Sequence, residues 1–70
     1  MKRYLIVVEK AAGNFSAYSP DLPGCVATGQ TADEARSRMQ DAIALHIEGL
    51  REAHLPIPEP SSVAFTVEVS

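Results

Sequence analysis

Hydrophobic and polar positions fall into distinct blocks along the chain, and the period changes from block to block. Tyr4, Leu5, Ile6, Val7 and Val8 are apolar without a break, the pattern of a strand covered on both faces. Gly13 and Asn14 then suit a turn, and Phe15-Ser16-Ala17-Tyr18 alternates, which predicts the second strand of a hairpin with one aromatic face buried. Pro20 ends that strand, because proline gives no N–H to the ladder and restricts the residue before it. Asp21 is placed to bond nearby backbone as an Asx turn, Pro23-Gly24 fits the central positions of a type II turn, and Cys25 to Thr28 form a third strand. Beyond Thr31 the period becomes helical. Ala32, Ala35, Met39, Ala42, Ile43, His46, Leu50 and Ala53 share one face, while Glu34, Ser37, Arg38, Asp41, Glu48 and Glu52 lie opposite. Thr31 followed three residues later by Glu34 is a capping box, and Asp33 adds negative charge at the positive end of the helix dipole. Pro56, Pro58 and Pro60 forbid continuation past about Ala53 and give an extended connector. Val63, Phe65, Val67 and Val69 then alternate with Ala64, Thr66 and Glu68, which predicts a fourth strand.

The element order is therefore βββαβ. A meander sends strand three parallel to strand one, and a right-handed helical crossover brings strand four in parallel beside strand one. The expected architecture is an α+β, two-layer single domain over residues 1–70, with a four-stranded mixed sheet in the order 3-2-1-4 and one long helix. Strand one is then central, which accounts for its apolarity on both faces. A helix of roughly 22 residues is about 33 Å long against roughly 17–20 Å for an ordinary strand. It overhangs its own sheet, and Ile47, Leu50, Leu55 and Ile57 need cover from elsewhere.

Composition sharpens that need. With 46% hydrophobic and 21% charged residues the 70-residue chain folds, yet a domain of this size buries only about 60% of the surface its unfolded form exposes. One cysteine and no clustered metal ligands leave it without staples, so self-association is expected, as a homodimer or a dimer of dimers. Leu45, which falls off the apolar helical stripe, Leu50 at the helix end, and Phe65, Val67 and Val69 on an edge strand whose only charge is Glu68 are the candidate interface. The net charge is -3 and the six Lys and Arg residues are scattered, so direct nucleic-acid binding, which needs a basic stripe, is not expected. No apolar run approaches the roughly 20 residues of a membrane helix, and the basic-apolar start MKRYLIVVEK is too short for a signal peptide. A lone cysteine fits a reducing compartment, and the expectation is a cytoplasmic protein with no membrane contact.

Candidate chemistry is sparse. Metal-assisted hydrolysis needs carboxylates that converge, and those available are Glu9, Glu34, Glu48 and Glu68; Glu34 belongs to the capping box and Glu48 to the solvated helix face. Cys25 could serve as a nucleophile only with a nearby base, and no local motif supplies one, so a packed thiol is the favoured reading. His46 sits in the apolar stripe as a packed residue, and His54, eight residues on and about 12 Å along the axis, cannot share a metal with it. No catalytic residue, metal site or cofactor is expected. The turn-rich stretch SPDLPGCVATGQT is then a joint, and its rigidity suits a surface of fixed shape around Tyr18, Asp21 and Leu22 for a protein partner.

The ordered set FSAYSPDLPGCVATGQTADEA, MQDAIALHIEGL and LPIPEP resembles the HicB-like antitoxin family. Members carry an aromatic strand, a P-D-L-x-G-C turn, a G-x-T-x-x-E-A helix start and a proline-marked exit, and the resemblance covers nearly the whole chain. It implies a partial ribonuclease H-like fold and a protein that binds a HicA-like messenger RNA endonuclease toxin and masks its active site. Full-length members add a carboxy-terminal DNA-binding domain, and the chain, ending at Ser70, is expected to be the antitoxin core without it. The other function class compatible with these residues is a self-assembling regulatory or structural domain with no toxin partner.

Overall fold

Tight turns and helix caps, all local chemistry, set the element boundaries. In the computed structural model, which describes residues 2–70, the elements are β1 (Val7–Ala11), β2 (Asn14–Tyr18), β3 (Val26–Gly29) and α1 (Ala32–Glu52). The β1–β2 hairpin closes through Ala12 and Gly13, with Val7 opposite Tyr18 and Ala11 opposite Asn14. Between β2 and β3 two turns follow in succession: the Leu22 N–H donates to the Ser19 carbonyl at 3.1 Å and the Cys25 N–H to the Leu22 carbonyl at 3.2 Å. Gly24, at φ 82°, occupies the second central position of the latter turn, as the type II expectation requires. β3 returns antiparallel to β2, from Tyr18 opposite Val26 to Phe15 opposite Gly29.

At the start of α1 the Thr31 hydroxyl accepts the Glu34 N–H at 3.0 Å, while the Glu34 carboxylate reaches back to the Gln30 N–H at 2.7 Å. The capping box thus closes on the residue before the cap. The other end is a Schellman motif, in which the His54 N–H donates to the Arg51 carbonyl and the Leu55 N–H to the Leu50 carbonyl. His54 holds the left-handed position, at φ 56°. The core is Ala17, Leu22, Cys25, Ala35 and Met39, with Tyr4, Ile6, Val8, Phe15, Ala27, Ala42, Ile43 and Ile47 packed around it. The helix lies chiefly over β3 and β2 and least over β1. Gly29 permits that seating, since a Cβ there would stand 2.5 Å from the Ala35 amide nitrogen.

The sheet corrects the expected architecture. It has three strands, all antiparallel, in the order β1-β2-β3, instead of four mixed strands in the order 3-2-1-4. β1 is therefore an edge. Tyr4 to Ile6, expected in the first strand, precede it, because β2 stops at Tyr18 ahead of Pro20 and leaves them no partner. The fourth strand is also missing among the described residues, and the path of the connector gives the reason. The Tyr4 hydroxyl donates to the Pro58 carbonyl, Lys2 pairs with Glu59 at 2.7 Å, and Ser61 and Ser62 are bound by Asp21 in the β2–β3 connection. The chain has thus crossed the end of the sheet past β1 before the alternating residues begin. Val63, Phe65, Val67 and Val69 are 73%, 90%, 84% and 88% exposed. The partial ribonuclease H-like arrangement needs that strand in the sheet, and the chain's own sheet does not contain it. The projecting tail raises the radius of gyration to 13.5 Å, against about 11 Å for a compact chain of this length.

Candidate functional site

Two turns and a proline-rich connector, none of them a regular element, build the most organised polar cluster. Pro20 and Pro23 fix the turns so that Asp21 faces outward while Leu22, between them, is only 1% exposed. One Asp21 carboxylate oxygen accepts the N–H groups of Ser61 and Ser62, both at 3.0 Å, and the other accepts their hydroxyls at 3.0 and 3.1 Å. These bonds favour the ionised form, and the Ser62 and then the Ser61 backbone N–H hold the Asp21 carboxyl below its ordinary range. The expected Asx turn is therefore replaced by a clamp on a segment 40 residues away. Ser61 and Ser62 carried no sequence signal, since two serines after a proline run read as ordinary loop.

Of the residues placed on a partner-facing surface, Tyr18 is exposed at the end of β2, Asp21 is occupied by the clamp, and Leu22 supports the turns from the core side. Among the candidate interface residues, Leu45 is 70% exposed and Leu50 half-buried, and Phe65, Val67 and Val69 stand in solvent. A cleft of about 540 Å³ opens between the lead-in to β1 and the second half of α1, lined by Lys2, Tyr4, Ile43, Ile47, Arg51 and Ile57. It continues past Arg3, Ile6 and Gln40. Its floor is apolar and its rim cationic.

The chemistry-bearing side chains are dispersed. Glu9 lies exposed on β1, Glu34 at the helix cap, Glu48 on the outer helix face and Glu68 in the tail. No group of three His, Cys, Asp or Glu side chains comes together among the described residues. Cys25 is buried and unpaired, and burial pushes its thiol up, away from the thiolate a nucleophile needs. His46 is half-buried on α1 and His54 is exposed beyond its end. On the outer side of α1 Arg36 pairs with Asp33 at 3.0 Å and Arg38 with Glu34 at 3.7 Å, which leaves Asp41, Glu48 and Glu52 as an acidic stripe along its second half. No helix among the described residues is long and apolar enough to cross a membrane.

Comparison with known proteins bears on this surface. A family model described as HicB_like antitoxin of bacterial toxin-antitoxin system matches residues 4–69. A UPF0150 protein of Synechocystis is 39% identical over 57 residues, 80% of this chain and 72% of that protein. A UPF0150 protein of Helicobacter pylori is 31% identical over 65 residues, 91% and 90% of the two chains. An uncharacterized 14.9 kDa protein from the rep-hol intergenic region of Haemophilus phage HP1 is 35% identical over 60 residues, and there the chain spans 45% of its relative. No solved structure matches.

Proposed function

The chain belongs to the HicB-like antitoxin family of bacterial toxin-antitoxin systems, and we propose that it is the antitoxin core that binds a HicA-like messenger RNA endonuclease and masks its active site, without catalysis of its own. The observation that carries this reading is the family match over residues 4–69, which spans every element of the fold. Supporting it, the acidic stripe Asp41, Glu48 and Glu52 of α1 suits a basic nuclease, whose RNA-binding surface must attract phosphate and so attracts carboxylates as well. Tyr18, on the other face of the sheet from the buried Ala17, and the rigid β2–β3 turns give a second contact of fixed shape. The protein acts in the cytoplasm, where messenger RNA is cleaved, and needs no cofactor and no direct contact with nucleic acid.

The test is titration of the purified chain against a HicA-like toxin encoded beside it. RNA cleavage should fall to background at one antitoxin chain per toxin chain, and growth arrest by the toxin should be relieved on co-expression. Cleavage that persists at about tenfold excess overturns the reading in favour of a self-assembling domain with no toxin partner, the alternative that the exposed Leu45 and tail support.

A further inference from the structure

Three features of the chain lack a partner within it, and they are complementary. The first is the tail, Val63 to Val69, whose Val63, Phe65, Val67 and Val69 form one apolar row that is 73–90% exposed. The second is the free edge of β1 with its lead-in, Lys2 to Ile6, whose backbone is not engaged in the sheet. The third is the cleft beside that lead-in, floored by the half-buried Ile43 and Ile47 of α1, on the β1 side, where helix and sheet touch least. An unpaired edge next to an apolar floor is a seat for one more strand, and the tail is a strand without a sheet.

The two do not meet within one chain. Asp21 fixes Ser61 and Ser62 to the β2–β3 connection, and beyond that clamp the apolar row of the tail stands in solvent instead of along the β1 edge. We propose that the seat is filled in trans: the tail of a second copy adds to the β1 edge and lays its apolar row over the cleft, and the first copy's tail does the same in return. Each chain's own sheet stays three-stranded. The seven residues Val63–Val69 extend about 23 Å, the same span as the seven residues Lys2–Val8. The tail's one charge, Glu68, is opposite in sign to Arg3 and Arg51 at the rim. Exchange about a two-fold axis satisfies both copies at once and closes the assembly, which a one-way addition would not do. This inference does not rest on the antitoxin reading, since it uses no residue of the acidic helix face.

Sedimentation equilibrium across dilution tests it, on the 70-residue chain and on variants chosen in the exposed tail so that the monomer fold is untouched and far-UV circular dichroism stays unchanged. Wild type should be a dimer at about 100 µM chain, and Phe65→Asp and Val67→Asp should each weaken the dimer by about 100-fold, because each forces a charge into an apolar seat. Proline substitution decides the mode: successive N–H groups of a strand face opposite edges, so one of Thr66→Pro and Val67→Pro removes an N–H of the ladder to β1 and should weaken the dimer by about 30-fold or more, in the case of Val67→Pro beyond a Val67→Ala control. Amides of the tail that face the β1 edge should exchange slowly at high concentration and rapidly on dilution. A wild-type monomer at that concentration overturns the proposal, and so does a dimer that tolerates both proline substitutions or leaves every tail amide unprotected.

Discussion

Substituting Gly29 by alanine tests whether α1 is seated on β3 by direct backbone contact. The added Cβ would stand 2.5 Å from the Ala35 nitrogen, 3.0 Å from the Ala35 Cα and 3.0 Å from the Glu34 carbonyl carbon. All three are backbone atoms, so no side-chain rotation gives relief. Ordinary contact needs about 3.5 Å, so the first turn of α1 must retreat by about 1 Å. Ala35 and Met39, both 0% exposed, are carried outward with it. A gap of that size forfeits a quarter to a half of each contact, and overpacked sites generally cost about 1–3 kcal/mol. Because all three close atoms are backbone, the cost lies at the upper end, about 3 kcal/mol; reduced freedom of the unfolded chain returns about 0.5–1 kcal/mol, leaving a net loss of about 2 kcal/mol. For a domain of this size whose total stability is about 4–10 kcal/mol, that is a large fraction, and the melting temperature should fall by about 10–15 °C. The assay is urea unfolding followed by circular dichroism at one fixed chain concentration, since association would shift the midpoint. Gly49→Ala is the control: it lies exposed in α1 with nothing within 4 Å of a Cβ, and should gain about 1 kcal/mol. A Gly29→Ala protein within 0.5 kcal/mol of wild type (about the reach of an ordinary surface substitution), beside a stabilised Gly49→Ala, would refute the seating.

Two further outcomes follow from the helix end and the clamp. His54→Gly should raise stability by about 1 kcal/mol, because glycine takes the left-handed position of the Schellman motif without strain; a lower urea midpoint would show that the imidazole contributes contacts at that end. Asp21 has its carboxyl held low in the folded protein, so the clamp is in force above the ordinary aspartate value and is lost as pH falls through the lower, folded one. As pH falls below the ordinary aspartate value of about 3.9, the Ser61 and Ser62 amides should therefore lose protection relative to their free exchange rates, and Asp21→Ala should show the same loss at neutral pH; amides as well protected in Asp21→Ala as in wild type would remove the clamp.

The legible parts of the fold were those fixed by chemistry within a few residues. Thr31 with Glu34 located the start of α1, Pro56 bounded its end, Pro20 stopped β2, and Pro23-Gly24 gave the turn that Gly24 adopts. Each depends on a backbone hydrogen bond or a fixed φ that neighbouring residues decide. The candidate site was much less legible, because its parts meet across long stretches of chain. Nothing in PDLPG says that Asp21 reaches Ser61 and Ser62, or that Leu22 between two turns points into the core. The histidine at φ 56° ends the helix where glycine would have announced it. Tyr4 to Ile6 have the composition of a central strand and yet sit outside the sheet, because Pro20 shortens the neighbour they would have paired with.

The tail shows why alternation alone does not make a strand. Val63 to Val69 has the period, the β-branched residues and the turn-forming approach of a strand, but a strand is a relation between two segments, and beyond the clamp at Ser61 and Ser62 this one lies along no edge of its own sheet. Side chains of that character left in water carry a hydrophobic cost of about 1.5–3 kcal/mol each relative to burial, so the sequence pattern and the exposed conformation are reconciled only by cover from outside the chain. If that cover is a second copy at the β1 edge, the apolar cleft is used up by self-association. The surface left open is then the acidic stripe of α1 with Asp41, Glu48 and Glu52, together with Tyr18 on the other face of the sheet. These are the polar surfaces a basic nuclease would meet. Dimerisation and toxin binding then occupy separate faces, and a charge reversal at Glu48 and Glu52 should weaken the toxin complex while leaving the sedimentation of the free protein unchanged.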